Sequence, residues 1–331
     1  IYQMTKGFGE YGFPESHSAS FALLVYLSSW LKCHEPAAFC AALLNSQPLG
    51  FYTPSQLVQD VQRHNVEVRP VDVCASDWDC TLEPGEDGEP AVRLGLHMVK
   101  GLSHSGGQRL LQARQQRCFA NSDDCFQRSQ LNKRDLNCLS EANALSTLAG
   151  HRRLALWQTL GLVPDTSKDK PSLALPLSST ERKSSQPDLL PPTEGENLVA
   201  DYRRLGLTLG RHPLALLRTK LSSMQLKTAD DVNHARHQQS IYVAGIVTCR
   251  QRPGTASGVM FVTLEDETGT INVVVWSSLV ERQRRELLNS QLLGVHGIVE
   301  KKDNVVHLVA GRLFDHSQLL GSLELPSRDF H

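Results

Sequence analysis

The residues best suited to chemistry in this 331-residue chain are cations grouped between Val92 and Trp157. Residues 91–160 hold ten Lys or Arg against four Asp or Glu, a local net charge of +6, whereas the whole chain carries −1. Cations at the ends of short apolar helices can hold an anion such as a nucleic-acid phosphate. A solvated basic face explains the same charges equally well, so charge alone leaves both interpretations open.

The sequence offers little for metal or nucleophilic chemistry. Its eight cysteines include no Cys-x-x-Cys pair and no spacing typical of a zinc site, so we interpret them as reduced thiols of a cytoplasmic protein. The nearest candidate for a metal-binding acidic pair is Asp77-Trp78-Asp79, which falls in a predicted surface loop. No stretch resembles a signal peptide or a membrane span. We therefore predict no catalytic residue, no metal ligand, no cofactor and no membrane contact in this chain.

The first 90 residues predict helices and one hairpin that would support the cationic region. A helix over residues 17–33 has a broad apolar surface, which indicates that it is largely buried. Pro36 opens a second helix that ends at Asn45, and residues 54–65 form an amphipathic third. Residues 76–90, rich in acids with Pro and Gly, predict an exposed hairpin or loop.

A long motif overlaps the first of these helices. It consists of GEYGFPESHSASFA at residues 9–22, followed by Tyr26, Trp30-Leu31-Lys32 and Pro36-Ala37-Ala38-Phe39. This motif resembles the end of the fingers region of bacterial C-family DNA polymerases, which include the replicative alpha subunits and their error-prone relatives. Its length and density make it specific.

The cationic region then resembles a helix-hairpin-helix element, whose hairpin points backbone N–H groups at a DNA phosphate. The hairpin would be Met98-Val99-Lys100-Gly101-Leu102-Ser103, with Ser103 where the usual pattern has a second glycine. A second element would begin at residue 131, and a closing helix at residue 150 would place Trp157 in the core. The predicted duplex contacts are Lys100, Gly101, Ser103, Arg109, Lys133, Arg134, Arg152 and Arg153. For the last two, ordinary surface charge is an equally good interpretation.

Residues 163–195 are rich in Pro, Ser, Lys and Asp, which predicts a flexible linker. Within it, Gln186-Pro187-Asp188-Leu189-Leu190 resembles the pentapeptide that tethers polymerases to the sliding clamp. The aromatic residue usual at the last position of that motif is Leu190 here. Gln186, Asp188, Leu189 and Leu190 are thus candidate clamp contacts, and a plain linker segment is the alternative.

Residues 240–316 predict five strands with a helix between the third and the fourth, the order of an OB-fold. Such domains often bind single strands through basic and aromatic residues of the sheet and its first loop. The candidates here are Arg250 and Arg252 in that loop, with Phe261 and Trp276 as stacking residues. A core position for Phe261 and a protein ligand for the domain remain open alternatives.

The predicted fold class is multidomain α+β: a mainly helical fingers end and helix-hairpin-helix module, then a C-terminal five-stranded β-barrel of OB-fold type. The predicted boundaries are 1–70 for the end of the fingers, 71–162 for the duplex-binding module, 163–195 for the linker, 196–239 for a connecting helical segment, 240–316 for the OB-fold and 317–331 for a tail.

The resemblance covers the chain except the linker, and the end directly after the OB-fold is similar to the error-prone branch. It implies a parent DNA-directed DNA polymerase of damage-induced translesion synthesis in the cytoplasm, which adds dNTPs with Mg²⁺ by two-metal chemistry. Its implied partners are primer–template duplex, single-stranded template, the sliding clamp and other translesion proteins.

In this family the catalytic carboxylates lie in a palm domain upstream of the fingers. Because the sequence opens on Ile1, we expect a fragment or a processed product that binds DNA without polymerising. The alternative is a free-standing OB/helical DNA-binding repair accessory protein without polymerase activity.

Overall fold

The computed structural model describes residues 15–50, 52–86, 88–162, 189–254, 258–302, 305–323 and 328–330. The chain divides into two compact units, Ile1–Asp135 and Leu136–His331. The six domain boundaries given above remain predictions.

The described part of the first unit starts with three helices: α1 at Glu15–His34, α2 at Pro36–Asn45 and α3 at Pro54–Arg63. Proline stands at the start of α2 and of α3, where its missing N–H costs nothing. Thr53 and Gln56 form a capping box that fixes the beginning of α3. These three helices lie where the sequence predicts them.

The predicted burial of α1 is wrong for the described residues. Leu23, Val25 and Tyr26 are each more than half exposed, and most of the other large apolar side chains of the helix are exposed as well. A helix that is apolar on all sides is buried only where neighbours surround it. In the described part of this unit, α2 packs against α1, and Lys32 of α1 pairs with Asp60 of α3 at 2.9 Å; these contacts leave most of the apolar side chains of α1 uncovered.

A small sheet follows, with β1 at Val68–Arg69, β2 at Thr81–Pro84 and β3 at Pro90–Arg93. Strand β3 lies in the middle, parallel to β1 and antiparallel to β2. The last two strands are the predicted hairpin. The side-chain amide of Asn45 bonds both backbone groups of Cys80, so α2 is tied to the start of the hairpin.

Five further helices complete the region predicted to bind duplex DNA. They are α4 at His104–Gln116, α5 at Ser122–Ser129, α6 at Lys133–Glu141, α7 at Ser146–Ala149 and α8 at Arg152–Leu162. Helix α4 lies close to the hairpin because Gly107 has no side chain: a Cβ there would lie 2.5 Å from the ring of Trp78. The pair Gly106-Gly107 is thus a packing requirement.

The second unit continues with α9 at Glu194–Arg204, α10 at Pro213–Ser223 and α11 at Ala229–His234. Helices α9 and α11 begin with capping boxes at Thr193 and Thr228. The sequence predicts a connecting helical segment at residues 196–239, and these three helices cover most of that range.

A closed barrel of five strands follows: β4 at Ser240–Gln251, β5 at Met260–Glu265, β6 at Thr270–Val275, β7 at Leu292–Lys302 and β8 at Val305–Asp315. The order is β5-β6-β8-β7-β4, and β4 pairs with β5 to close it. Only β6 and β8 run parallel within it. Gly245 lets β4 bend across β5, since a Cβ there would lie 2.7 Å from that of Leu264. The α+β fold class with a C-terminal OB-fold is confirmed.

The helix predicted between the third and fourth barrel strands is two short ones, α12 at Ser277–Arg282 and α13 at Arg284–Asn289. They separate at Gln283, whose side-chain amide bonds both backbone groups of Leu313 at 2.9 Å. After the barrel, a 3₁₀ turn at Ser317–Leu320 precedes β9 at Arg328–Phe330, which runs parallel to β4.

No helix in the described part of the chain combines the length and the apolar character that crossing a membrane requires. All eight cysteines lie in described ranges and are free thiols.

Candidate nucleic-acid interface

The hairpin of the predicted helix-hairpin-helix element, at residues 98–103, is built around Gly101. A 3₁₀ turn at Leu96–Met98 leads into it, and Gly101 has a φ of +91°, a conformation that favours glycine. Lys100 beside it is exposed. Ser103 then caps α4, its hydroxyl oxygen accepting a hydrogen bond from the Gly106 N–H at 3.0 Å. The turn therefore presents a cation and a helix start together, as the resemblance implied.

An acid from another helix, Asp135 of α6, lies against the start of α4 and is fully buried. Its carboxylate accepts hydrogen bonds from the Ser103 N–H at 2.9 Å, from the Ser103 hydroxyl at 2.8 Å and from the Asn132 amide at 3.0 Å. A Cβ at Gly106 would collide with the same carboxylate. Ser103 was predicted to contact a phosphate, and this prediction is wrong because both of its donors are bonded to an internal anion.

Sequence reasoning missed Asp135. The signal that could have found it is the Asn-x-x-Asp spacing at residues 132–135, which resembles a capping box. The Asn132 side chain indeed accepts a hydrogen bond from the Asp135 N–H at 2.8 Å. Because Asp135 bonds Ser103 as well, the start of α4 and the start of α6 are held side by side.

Lys133 and Arg134 occupy the first turn of α6, and both side chains are exposed. Within the described ranges, neither forms an ion pair. Asp135 links this turn to the one that carries Lys100, so the three cations lie on neighbouring helix starts of the same unit. They are the predicted duplex contacts that the structure leaves facing solvent.

Arg109 is used inside the protein. Its Nε donates to the carbonyl oxygen of Ser129 at 3.2 Å, which ties α4 to the end of α5. Arg114 of the same helix is also used inside the protein, since it bonds the Ser76 carbonyl at 2.7 Å and the Asp77 carboxylate at 2.6 Å. The Nε of Arg109 thus links two helices, and its contact with DNA stays a prediction.

Arg152 and Arg153 are also engaged. Arg152 is largely buried and donates to Asp201 at 2.6 Å and to the Glu141 carbonyl at 2.8 Å. Arg153 donates to Glu196 at 3.0 Å. These bonds fasten α8 to the start and the last turns of α9, so the prediction of phosphate contacts is wrong for Arg152, and Arg153 already has an anionic partner.

Trp157, on the same helix, was expected in the core. Its side chain is 44% exposed, so that expectation is wrong.

The clamp-binding candidates lie partly outside the described residues, since Gln186 and Asp188 are not among them. The carbonyls of Leu189 and Leu190 accept hydrogen bonds from His151 and Arg153, at 3.1 and 2.8 Å. The Leu190 side chain is 76% exposed. Clamp binding stays a prediction.

Arg250 is not a loop residue. It lies within β4, its side chain is 5% exposed, and it donates to the carbonyls of Leu287 and Ser290 at 2.7 and 2.5 Å. The prediction that it binds DNA is wrong, because β4 extends one residue beyond it and places its guanidinium against the end of α13.

Arg252, Phe261 and Trp276 do face solvent. Phe261 is 39% and Trp276 is 55% exposed, and Arg252 lies just after β4 ends. A Cβ built at Gly258 would lie 3.8 Å from the Arg252 guanidinium and 3.3 Å from the Cβ of Ser277, the neighbour of Trp276. The structure thus brings Arg252 to the corner that carries Trp276. A cation beside an exposed aromatic ring can hold a phosphate while a base stacks on the ring.

In the described part of the chain, no group of three His, Cys, Asp or Glu side chains is placed to bind a metal ion. Asp77 and Asp79 are exposed, as predicted, and Asp77 is paired with Arg114.

Two family models match the chain. A helix-hairpin-helix motif matches residues 65–155, and an OB-fold nucleic acid binding domain matches residues 241–315. The fold and the candidate site therefore define a protein that combines these two modules.

Three curated relatives are each named Error-prone DNA polymerase. The one from Alkalilimnicola ehrlichii is 55% identical over all of this chain and 32% of its own length. Those from Aromatoleum aromaticum and Pseudomonas fluorescens are 54% and 51% identical, over 98% and 100% of this chain and 30% and 32% of theirs. The chain spans about a third of the length of these relatives. Its resemblance to the C-terminal part of a bacterial C-family DNA polymerase, in the error-prone branch, is confirmed.

Proposed function

We propose that the chain is the DNA-binding C-terminal part of an error-prone DNA polymerase that acts in damage-induced translesion synthesis. The observation that carries this proposal is the identity of 51–55% along 98–100% of the chain to polymerases of that name. The match includes both modules, so the part of the molecule that would contact DNA is the part shared with those relatives.

The duplex would be held by Lys100, Lys133 and Arg134. Their support is geometric: the Asp135 carboxylate joins two helix starts in one unit, and the exposed cations stand on those starts. The attraction would come from the side chains, because the N–H groups of Ser103, Gly106 and Asp135 at these helix starts are bonded to internal oxygens. Such contacts bind the sugar–phosphate backbone without reading base sequence.

Single-stranded template would be held by Arg252, Phe261 and Trp276 of the OB-fold. Stacking on an aromatic ring tolerates any base, which suits a template of arbitrary sequence. The barrel region carries as many acids as bases, eight of each over residues 240–316, so attraction depends on this local group. The sliding clamp and other translesion proteins are proposed partners of the whole polymerase, in the cytoplasm.

Nucleotide addition would belong to the whole polymerase and not to this part. Two-metal chemistry needs carboxylates that hold Mg²⁺ against the primer end and the incoming dNTP. The acidic pair that comes nearest by spacing, Asp77 and Asp79, does not fit, since Arg114 neutralises Asp77. The chain is therefore proposed to position DNA for an active site formed elsewhere in the parent protein.

A primer-extension assay on the purified chain tests this. With labelled primer–template, Mg²⁺ and all four dNTPs, we expect a mobility shift of the DNA and no lengthened primer, whereas an unrelated DNA polymerase extends the same substrate. Extension by the chain would refute the assignment of chemistry to another part. Absence of any shift at low salt would refute the DNA-binding role.

A further inference from the structure

The outer surface of the barrel carries a second group of aromatic and cationic side chains, away from the first loop. Tyr242 of β4 lies opposite His296 of β7, and His296 lies opposite Arg312 of β8. Phe314 and His316 follow Arg312 at alternate positions. Leu313, between Arg312 and Phe314, faces the core. We call these five residues the aromatic–cationic cluster.

Close contacts hold the cluster together. The rings of Tyr242 and Phe314 are 5.2 Å apart, and the ring of His316 lies nearly parallel to Phe314, with centroids 6.3 Å apart. The Tyr242 hydroxyl and His316 Nε2 are hydrogen bonded at 2.8 Å. Gly294 makes room for this ring, because a Cβ there would lie 2.7 Å from it. The cluster is therefore fixed in place: the Tyr242 and Phe314 rings are partly buried, Tyr242 against the apolar core that includes Leu198 and Leu214, and Arg312 and His296 form the exposed part.

The exposed edge of the cluster is cationic. The Arg312 guanidinium carbon lies 5.0 Å from the Phe314 ring centre, and Arg312 and His296 are both exposed. In the described ranges Arg312 forms no ion pair, unlike Arg152, whose carboxylate partner lies 2.6 Å away. The nearby acid Asp315 accepts hydrogen bonds from the hydroxyl and N–H of Ser317, and in the described ranges it forms no ion pair with Arg312.

An arginine laid on an aromatic ring with its donors facing solvent suits a ligand with a flat π face and a negative charge beside it. A nucleotide of a single strand has both, and its base remains open for stacking. An acidic peptide would satisfy the charge but would leave the rings without a stacking partner.

We propose that the aromatic–cationic cluster is a second contact for single-stranded DNA, with a base stacked on the outer face of the Arg312 guanidinium that covers Phe314 and a phosphate held by the donors of Arg312 and by His296. The proposal rests on the proposed function, since it extends single-strand binding beyond the Arg252 corner. The two contacts lie on different strands of the closed barrel: β5 carries Phe261, whereas β4, β7 and β8 carry Tyr242, His296 and Arg312. A bound strand would pass around the barrel from one to the other.

Fluorescence anisotropy with labelled oligodeoxythymidine of about 30 nucleotides, longer than one OB-fold covers, tests the proposal on the full chain. Arg312→Ala is expected to weaken binding about tenfold, because it removes both the stacking surface for the base and the charge-assisted bonds to the phosphate. Arg312→Lys keeps the charge but not the planar group, so it should recover only part of the affinity. Arg285→Ala removes an exposed arginine of the same barrel region and should change binding less than about twofold. Equal thermal melting of all three variants would show that folding is intact.

Equal binding by Arg312→Ala and Arg285→Ala would overturn the inference. If Arg252→Ala weakens binding while Arg312→Ala does not, the cluster is not a DNA contact and the proposed function stands. If the unaltered chain does not bind the oligonucleotide, the single-strand part of the proposed function fails together with this inference. Cross-linking of an iodouracil-substituted oligonucleotide should label Tyr242 or Phe314, and labelling confined to Phe261 and Trp276 would also contradict it.

Discussion

Asp135 is an ionisable side chain without contact to solvent, and three donors from Ser103 and Asn132 surround its carboxylate. A buried charge persists only where hydrogen bonds replace water. Here they also fix the relative position of α4 and α6, and with it the spacing of Lys100 from Lys133. One side chain thus controls the surface proposed to hold duplex DNA.

Asp135→Ala should lower the free energy of unfolding by about 3 kcal/mol, because Ser103 and Asn132 would lose the anion that their donors bond. Urea denaturation of the chain measures this. Asp123→Ala is a matched control, since it removes an exposed acid at the start of α5 and should cost at most about 0.5 kcal/mol. Equal decreases in the free energy of unfolding for the two variants would show that the Asp135 carboxylate does not stabilise the turn at residues 98–103.

Which cations face solvent could not be predicted from the sequence. Arg250 is bonded to carbonyls 37 and 40 residues further along the chain, and Arg152 to an aspartate 49 residues away. No local pattern contains such partners. Lys133, Arg134 and Arg252 are cations like Arg250 and Arg152. They lie in the first turn of α6 or just after β4, where fewer protein groups are near enough to bond them.

At the scale of elements, the three-stranded sheet is bound by charge across its strands. Glu83 of β2 accepts hydrogen bonds from Arg93 of β3 at 2.9 Å and from Arg69 of β1 at 2.8 Å. Arg93 first and Arg69 second hold the pKa of the Glu83 carboxyl below its ordinary value of 4.5. Folding therefore favours the ionised carboxylate.

Glu83→Gln should destabilise the chain by about 1 kcal/mol at neutral pH, because these bonds are partly exposed. The contribution of the carboxylate is complete above its unfolded pKa of 4.5 and is lost as the pH falls through the lower folded pKa. Denaturation at pH 7 and at about pH 3 should show the difference between variant and parent shrinking in acid. Glu86→Gln, an exposed change in the same hairpin, should show no such dependence. A difference that persists in acid would contradict the assigned pairing.

The elements themselves were largely predictable, because their signals are local. Proline at the start of α2 and α3 and the alternating strands of the barrel are visible in short windows of sequence. Burial was not, since it depends on what packs against an element: α1 and Trp157 are apolar yet exposed. The break at Gln283 was missed for the same reason, because its partner Leu313 is 30 residues away.

At the scale of the whole molecule, the chain joins a helix-hairpin-helix motif to an OB-fold, each with exposed cations of its own. The near-neutral total charge of −1 hides this arrangement. The family resemblance was recognisable from the motif at residues 9–22, whose first six residues lie outside the described ranges. The contacts that carry DNA binding had to be located in the structure.

The central claim is that this chain holds duplex DNA through the cations at the start of α6. Its most direct test is the salt dependence of primer–template affinity, with Lys133→Ala/Arg134→Ala compared with the charge-matched control Arg284→Ala/Arg285→Ala. Each phosphate contact contributes about 0.9 to the slope of log affinity against log salt concentration, so loss of two should reduce the slope by about 2. We predict that reduction for the α6 variant alone; identical slopes for both double variants and the parent chain would contradict the account.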